Sequence, residues 1–550
     1  MRRSRLYMLA LGLLIALIVS SCAPAAPAAP APAEGGAAPA AAQPAAAAPA
    51  EAATTLVYAT DTSDLISLDP AVVYEFTGVL IAENIYDTLV KFEGDNLSEL
   101  KPSLAEHWEI AADGDMWKIT FHLDPDARFA SGNPVTAADV VYSFSRVLDL
   151  NKSPAFLLAD IPQLKKENMT AVDERTVELK IPNTASPQAL LSILTFSVGG
   201  IVEKAVVEQH VEGDDLGSTW LRDHSAGSAP YVLERWEPEQ QVVLTANPNY
   251  WGPAPKLSQI IIRHIAESSN QQFALESGDI DVARNLTPEQ VEALSNNPDI
   301  TIYRANTLLL IYVGMNVKQE PLDKPQVREA IRWAIDYKAI VDNLLRGGAK
   351  VHQTIIPEGL FGAVDNNPFQ KDVEKAKALL AEAGVPDGFS IEMLIPTGPA
   401  PGGTDWSNIA AAIQSDLAAV GIQVTIKQTT QAELLNIYRA QSGQLVLILW
   451  GPDFPDPDGN VGPFTDYSQR VIAFRNNWDN PELAARARAA ALEADPTKRS
   501  ALYAELVETV LHEGPYAVLY QPGVVFGLRK NVQGLLWNPM GTIEFANVSK

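Results

Sequence analysis

Trp450 and Asp453 stand at the end of a short run, Leu445-Val446-Leu447-Ile448-Leu449, that contains no polar side chain. A run so apolar and so brief reads as a buried strand. In open α/β sheets, ligands sit in the crevice outside the carboxyl ends of the strands. At such a place the Trp450 indole would offer a flat apolar wall, and the Asp453 carboxylate, partly withdrawn from water, would hold a cationic group. The next residues, Pro455-Asp456-Pro457-Asp458-Gly459, would stiffen the loop and fix its exit. An aspartate here also serves as an ordinary turn residue, and spacing alone does not choose between the two roles.

No other constellation in the chain has the spacing that catalysis or metal binding requires. Ser98-Glu99-Leu100-Lys101 has the S-x-x-K interval of some acyl enzymes, but it lies in a polar loop without the companion motifs. Asp456 to Asn460 looks like a fragment of a calcium loop, yet Phe454 and Thr465 occupy the positions of its first aspartate and its closing glutamate. The seven histidines are scattered, with no H-E-x-x-H pair. No phosphate loop or G-x-S-x-G elbow occurs. The expectation is a protein that is not an enzyme and carries neither a metal nor a cofactor.

The elements that would position Trp450 and Asp453 read as strand alternating with helix. Asp372 caps a helix with Ala376, Leu379 and Leu380 on its apolar face, and Gly384 suits its C′ position. Ser390–Ile395 reads as a strand, Trp406–Val420 as a helix stopped by Gly421, Ile422–Ile426 as a strand and Gln431–Ala440 as a helix. This order predicts a mostly parallel sheet covered on both faces. Upstream, Val327, Ile331 and Ile335 mark a helix, with Asp336 as N-cap of the next. The first half mixes short strands (Leu56–Ala59, Met116–Leu123, Val242–Thr245, Ile260–His264) with helices. Its clearest helix start has Thr136 as N-cap, Asp139 closing a capping box, and Val135 stapled onto Val140.

The amino terminus has a different character. Arg2, Arg3 and Arg5 precede an apolar run from Leu6 to Val19, closed by Ser20-Ser21. That is the order of a secretory signal, and the run is shorter than the roughly 20 residues of a spanning helix. Cys22, the chain's one cysteine, follows directly. Val19-Ser20-Ser21-Cys22 resembles the lipobox of bacterial lipoproteins, with Val19 where Leu is usual, which implies lipidation at Cys22. Residues 23–53 hold two charges, Glu34 and Glu51, in a stretch dominated by alanine and proline. Such a stretch cannot bury a core and reads as an extended tether. The location expected is outside the cytoplasmic membrane, lipid-anchored at the cell surface or in the periplasm. Removing residues 1–21 takes away three arginines and no acid, moving the formal charge from −26 to −29. That charge repels phosphates, so no nucleic-acid partner is expected. With 550 residues, 47% of them apolar, there is material for more than one lobe.

Several ordered blocks carry a wider resemblance. They include Phe129-Ala130-Ser131-Gly132-Asn133-Pro134-Val135-Thr136-Ala137-Ala138-Asp139-Val140, Ala229-Pro230-Tyr231 with Asn247-Pro248-Asn249-Tyr250-Trp251-Gly252, and Ser277-Gly278-Asp279-Ile280-Asp281. Val327-Arg328-Glu329-Ala330 and Lys375-Ala376-Lys377-Ala378-Leu379-Leu380 continue the series. From about Thr55 onward the chain resembles the family 5 extracellular solute-binding proteins, the dipeptide- and oligopeptide-binding proteins of ABC importers. The resemblance implies an α/β fold: a two-lobed, periplasmic-binding-protein type II-like clamp with an extra subdomain in lobe I. It places a signal peptide at 1–21, an Ala/Pro-rich linker at 22–54, lobe I at 55–305 with the subdomain at about 92–222, lobe II at 306–516, and the return to lobe I at 517–550. The crossings fall near Tyr303–Thr307 and Pro515–Gln521.

In peptide-binding members an aspartate a few residues after a tryptophan holds the ligand's α-amino group, a role the resemblance gives to Asp453 beside Trp450. On the facing lobe, after Leu68-Asp69-Pro70, it nominates Tyr74, Glu75 and Phe76. Some members carry an arginine for the ligand carboxylate in the strand before the tryptophan. Leu445–Leu449 has none, and Arg439, upstream, is the available substitute. Gly227-Ser228-Ala229-Pro230-Tyr231 also departs from the usual Gly-Thr-Gly-Pro-Tyr. The partners implied are a peptide-like small solute, an ABC permease with its ATPase subunits, and the membrane through the lipid anchor, the protein acting as a monomer. A ligand sensor of the same fold feeding a signalling partner, a binder of an oligosaccharide or opine, and a secreted peptidase are the competing readings. The last lacks any nucleophile–base or metal constellation.

Overall fold

The computed structural model describes residues 54–550. The signal segment, Cys22 and the tether up to residue 53 lie outside the described residues. Ten strands form one continuous path, in the order Ile422–Thr429, Phe389–Pro396, Leu445–Trp450, Leu310–Met315, Tyr516–Arg529, Val282–Ala283, Thr55–Thr60, Gln259–His264, Gln241–Ala246 and Tyr231–Glu237. Ile300–Asn306 and Ala349–Val351 pair with Tyr516–Arg529 off this path.

The path is two sheets joined by one long strand. Tyr516–Arg529 spans 14 residues, about 45 Å of extended chain. Its first part pairs with Leu310–Met315 of lobe II, and Gly523 to Arg529 pair with Asn306 to Ile300 of lobe I. The chain therefore leaves one lobe and re-enters it along adjacent strands.

This arrangement changes one expectation. Phe389–Pro396 runs parallel to both Ile422–Thr429 and Leu445–Trp450, as the alternating pattern predicts. Leu310–Met315, however, is antiparallel to Leu445–Trp450 and to Tyr516–Tyr520, so the lobe II sheet is mixed and not mostly parallel. The strand that enters a lobe at the hinge and the strand that leaves it there must run in opposite directions. Local periodicity carries no trace of that constraint. The same pairing sets Trp450 opposite Leu310, the first residue of the entering strand. The loop after Trp450 thus emerges where the lobes meet.

Both faces of the lobe II sheet are covered. Leu445 and Leu447 pack into one hydrophobic cluster with Ile311, Val313 and Met393. Val446 and Ile448 pack into another with Leu310, Tyr312 and Leu394. The period-2 alternation of a strand turns successive side chains to opposite faces, which is why the run Leu445–Leu449 tolerates no polar residue. Lobe I is built on a third cluster around Leu56, Tyr58, Ile260 and Ile262, which also takes in Phe454 from the loop after Trp450. A separate four-stranded antiparallel sheet, Ala105–Asp113, Met116–Leu123, Thr176–Pro182 and Met169–Ala171, stands beside it. The helix Ala137–Leu150 begins with the predicted capping box: the Thr136 N–H donates to the Asp139 carboxylate at 2.9 Å, and Val135 and Val140 are buried.

Candidate functional site

Tyr74 is held in place by a buried ion pair deeper in lobe I. The Arg146 guanidinium grips Asp69 with two parallel bonds of 3.0 and 2.9 Å, both side chains being almost fully buried. Asp69 in turn accepts the Ala71 N–H at 2.9 Å, and its carbonyl accepts the N–H groups of Val72 and Val73. This turn delivers Tyr74 to the start of the helix Phe76–Ile85. The Tyr74 ring packs edge-on against Phe156 and Phe196, with centroids 6.1 and 6.2 Å away, and its hydroxyl donates to Asp453 Oδ1 at 2.5 Å. One hydrogen bond thus joins the two lobes at the predicted loop.

The loop is shaped by its own residues. Gly451 passes so near the crossing segment that a Cβ would fall 2.6 Å from Leu309. The Trp450 indole N–H donates to the Gly459 carbonyl at 3.2 Å, and its ring meets Phe464 edge-on. Trp450 therefore braces the loop as well as lining a cavity. Within Pro455 to Gly459 a helix, Asp458–Thr465, begins. Pro457 supplies a helical φ of −52° at the N-cap. Asp456 accepts the Asp458 N–H and two bonds from Arg499 at 2.7 and 2.8 Å.

Two cavities share Asp453. The smaller, of about 400 Å³, is walled by Tyr74, Phe76, Phe196, Leu309, Met540 and the segment Gly451–Asp453, with Arg284 on the lobe I side. The larger, of about 710 Å³, is lined by Trp450, Asp453 and Asp458 from lobe II and by Phe156 and Ser186 from lobe I, with Arg439, Arg475 and Arg488 around it. Burial pushes the Asp453 carboxyl above the ordinary carboxylate range, and the Tyr74 hydroxyl draws it part of the way back. Asp458 is pushed up to about 7, first by burial and then by the neighbouring Asp456 charge. Tyr74 is raised by burial and by the Asp453 charge together.

Of the nominated residues, Tyr74, Phe76 and Asp453 line one cavity, and Trp450 and Asp453 line the other. Glu75 lines neither; its carboxylate accepts the N–H of Tyr74 at 3.2 Å. Arg439 borders the larger cavity with an exposed side chain. Sequence reasoning did not find Arg284, Phe196, Trp537 or Met540. Arg284 follows the block Ser277–Asp281 by three positions, but nothing local marks it as facing a cleft. Among the described residues no cluster of His, Cys, Asp and Glu has the arrangement to hold a metal ion. No helix among them is long and apolar enough to cross a membrane.

Two lobes hinged on a shared strand, with a carboxylate and two cavities where they meet, define a clamp for a small solute. The family model described as "Bacterial extracellular solute-binding proteins, family 5 Middle" matches residues 99–470, and the chain belongs to that family. It is 30% identical over 490 residues to di/tripeptide-binding protein 2 of Pseudomonas aeruginosa (strain UCBPP-PA14), covering 85% of this chain and 89% of the relative. Among solved structures it resembles HbpA2 from Haemophilus parasuis, with a TM-score of 0.80 and 26% identity over 90% of this chain and 99% of the other. It also resembles the periplasmic binding protein DppA from Helicobacter pylori in complex with the peptide STSA, with a TM-score of 0.71 and 26% identity over 90% and 97% of the two chains. The protein is a solute-binding protein of α/β, two-lobed type and not an enzyme.

Proposed function

We propose that this chain captures a peptide-like solute outside the cytoplasmic membrane and delivers it to the permease of an ABC importer. Asp453 receives the ligand's amino group, Tyr74 and Phe76 close over it from lobe I, and Trp450 braces the loop that carries the carboxylate. The observation that carries this reading is Asp453 itself, a half-buried carboxylate at the meeting of two lobes whose side-chain partner is a tyrosine hydroxyl and not a cation. The names of the relatives support it: one binds di- and tripeptides, and one was solved with a peptide.

In this reading lobe I comprises residues 55–305 and 517–550, with a subdomain at about 92–222, and lobe II comprises 306–516. Cys22 carries a lipid, and the alanine-proline tether gives the clamp reach above the bilayer. The protein works as a monomer by population shift: a ligand that touches both lobes favours the closed form, which the permease recognises. Small-angle scattering tests the mechanism on protein stripped of ligand by partial unfolding and refolding. Adding a mixture of di- and tripeptides should reduce the radius of gyration. Peptide that binds with no change in shape would sink the clamp mechanism. Mass spectrometry of small molecules that co-purify with the native protein identifies the solute itself.

A further inference from the structure

Arg284 places a guanidinium on the lobe I wall of the smaller inter-lobe cavity. Its backbone is rigidly held. The strand Val282–Ala283 lies between Thr55–Thr60 and Tyr516–Arg529. The fully buried Gln271 then accepts the N–H groups of Arg284 and Asn285 at 3.1 and 3.2 Å. The guanidinium lies over the Trp537 indole, 4.8 Å from the ring centroid, and its charge reaches the buried Tyr58 hydroxyl. Arg284 also borders a second cavity, lined by Arg304, Arg346 and Gly523, but Trp537 walls only the inter-lobe one of the two. The cation thus lies over a ring of the inter-lobe wall.

The charge is unmatched. Arg346 pairs with Glu289 and Arg488 with Asp466, whereas Arg284 has no carboxylate partner among the described residues. The chain has 67 acidic residues against 41 lysines and arginines, so leaving a half-buried arginine unpaired is not for want of carboxylates. A charge withdrawn from water is costly unless something pairs with it. A guanidinium held over an aromatic face keeps its N–H donors, and an arginine fork meets a carboxylate with two parallel bonds.

We propose that Arg284 binds the terminal carboxylate of the ligand, and that the smaller cavity takes a di- or tripeptide with free amino and carboxyl ends and an apolar side chain. The assignment rests on the reading that Asp453 holds an amino group. The cavity's volume of about 400 Å³ lies near the lower end of the roughly 300–1,000 Å³ of small-molecule sites, which excludes a long peptide from it. Apart from Asp453, Arg284, Tyr74 and Thr307 its wall is apolar, with Phe76, Val79, Phe196, Leu308 and Met540 prominent.

Calorimetric titration with the dipeptide Ala-Phe and with its carboxy-terminal amide tests this on ligand-stripped full-length protein and on Arg284→Gln and Arg439→Gln. The unmodified protein should bind the acid about tenfold or more tightly than the amide. Arg284→Gln should lose that preference by weakening the acid alone, and Arg439→Gln should keep it. An Arg284→Gln protein that retains the full preference overturns the assignment while leaving the peptide reading intact. If neither Ala-Phe nor a mixed dipeptide library binds the folded, unmodified protein, the peptide reading fails and the assignment falls with it. Should Arg284→Gln not fold, Arg284→Lys replaces it. The preference should then shrink, and an unchanged preference would count against Arg284.

Discussion

Asp453 and Asp456 lie three positions apart in one loop and do opposite things. Asp456 points back into lobe II, where Arg499 and the Asp458 N–H satisfy its oxygens. Asp453 points to the other lobe, where a single tyrosine hydroxyl meets it. The first carboxylate is used up by the fold. The second is withdrawn from water and left with acceptor capacity, which is the condition for binding a cation that arrives from outside. A functional carboxylate is thus distinguished less by burial than by what already occupies its lone pairs.

The largest expected effect is on the structural side of this pair. Arg499→Ala leaves Asp456 buried without its cation, a change that costs about 3–5 kcal/mol. Urea unfolding monitored by tryptophan fluorescence should show it. Replacing both partners with apolar residues of similar volume should restore most of the loss, because the pair's mutual attraction largely offsets its own desolvation. A loss below about 1 kcal/mol for Arg499→Ala would break the comparison, for Asp456 would then be no more committed to the fold than Asp453.

The contrast between the two aspartates was not legible in the sequence, and the reason is distance along the chain. Features set within one turn were legible. Asp372 and Asp336 cap the helices they precede, and Gly384 and Gly421 adopt the positive φ that their stop positions require. The strand Leu445–Trp450 and the loop after it fell where apolar patterning puts them. The partners of that loop did not, since they come from far away: Tyr74 is 379 positions from Asp453, and Arg499 is 43 from Asp456. Arg284 and Trp537 are brought together by the strand that both lobes share. The resemblance to a known family supplied Tyr74 and Phe76, and no spacing rule would have chosen them.

Asp453→Ala is the next effect in size. For a ligand with a free amino group, losing the charged partner should weaken binding by about 2–5 kcal/mol, read by calorimetry, while the fold is unharmed. The pH dependence separates this role from a packing role. Burial raises the Asp453 carboxyl, so its neutral form is favoured in the folded protein relative to the unfolded chain. Its contribution to stability is therefore fully present below the unfolded value of about 3.9 and is lost as pH rises through the higher folded value. Asp453→Asn should accordingly stabilise the protein stripped of ligand at neutral pH. Ligand binding has the opposite sign. The ammonium needs the carboxylate, so affinity should fall as pH drops through the raised value, by up to about tenfold per unit. That slope should vanish in Asp453→Asn. A slope that survives the substitution would assign the titration to another group, with Asp458, pushed up to about 7 on the wall of the larger cavity, the first to examine.

Tyr74→Phe should have the smallest effect and is the sharpest test of how Asp453 is held. The substitution removes one hydroxyl and keeps the ring that packs on Phe156 and Phe196. The lost bond is worth about 1 kcal/mol, which corresponds to about a fivefold shift in a two-state balance. Because the bond spans the lobes, that shift should appear in the proportion of closed molecules before ligand is added, read by energy transfer between labels on the two lobes. Peptide affinity should change by less than about tenfold, since an ammonium on Asp453 replaces what the hydroxyl supplied. If Tyr74→Phe weakens binding as much as Asp453→Ala does, the hydroxyl contacts the ligand directly. The carboxylate would then be one half of a two-residue amine site, and its contrast with Asp456 would lie in sharing a ligand with the opposite lobe.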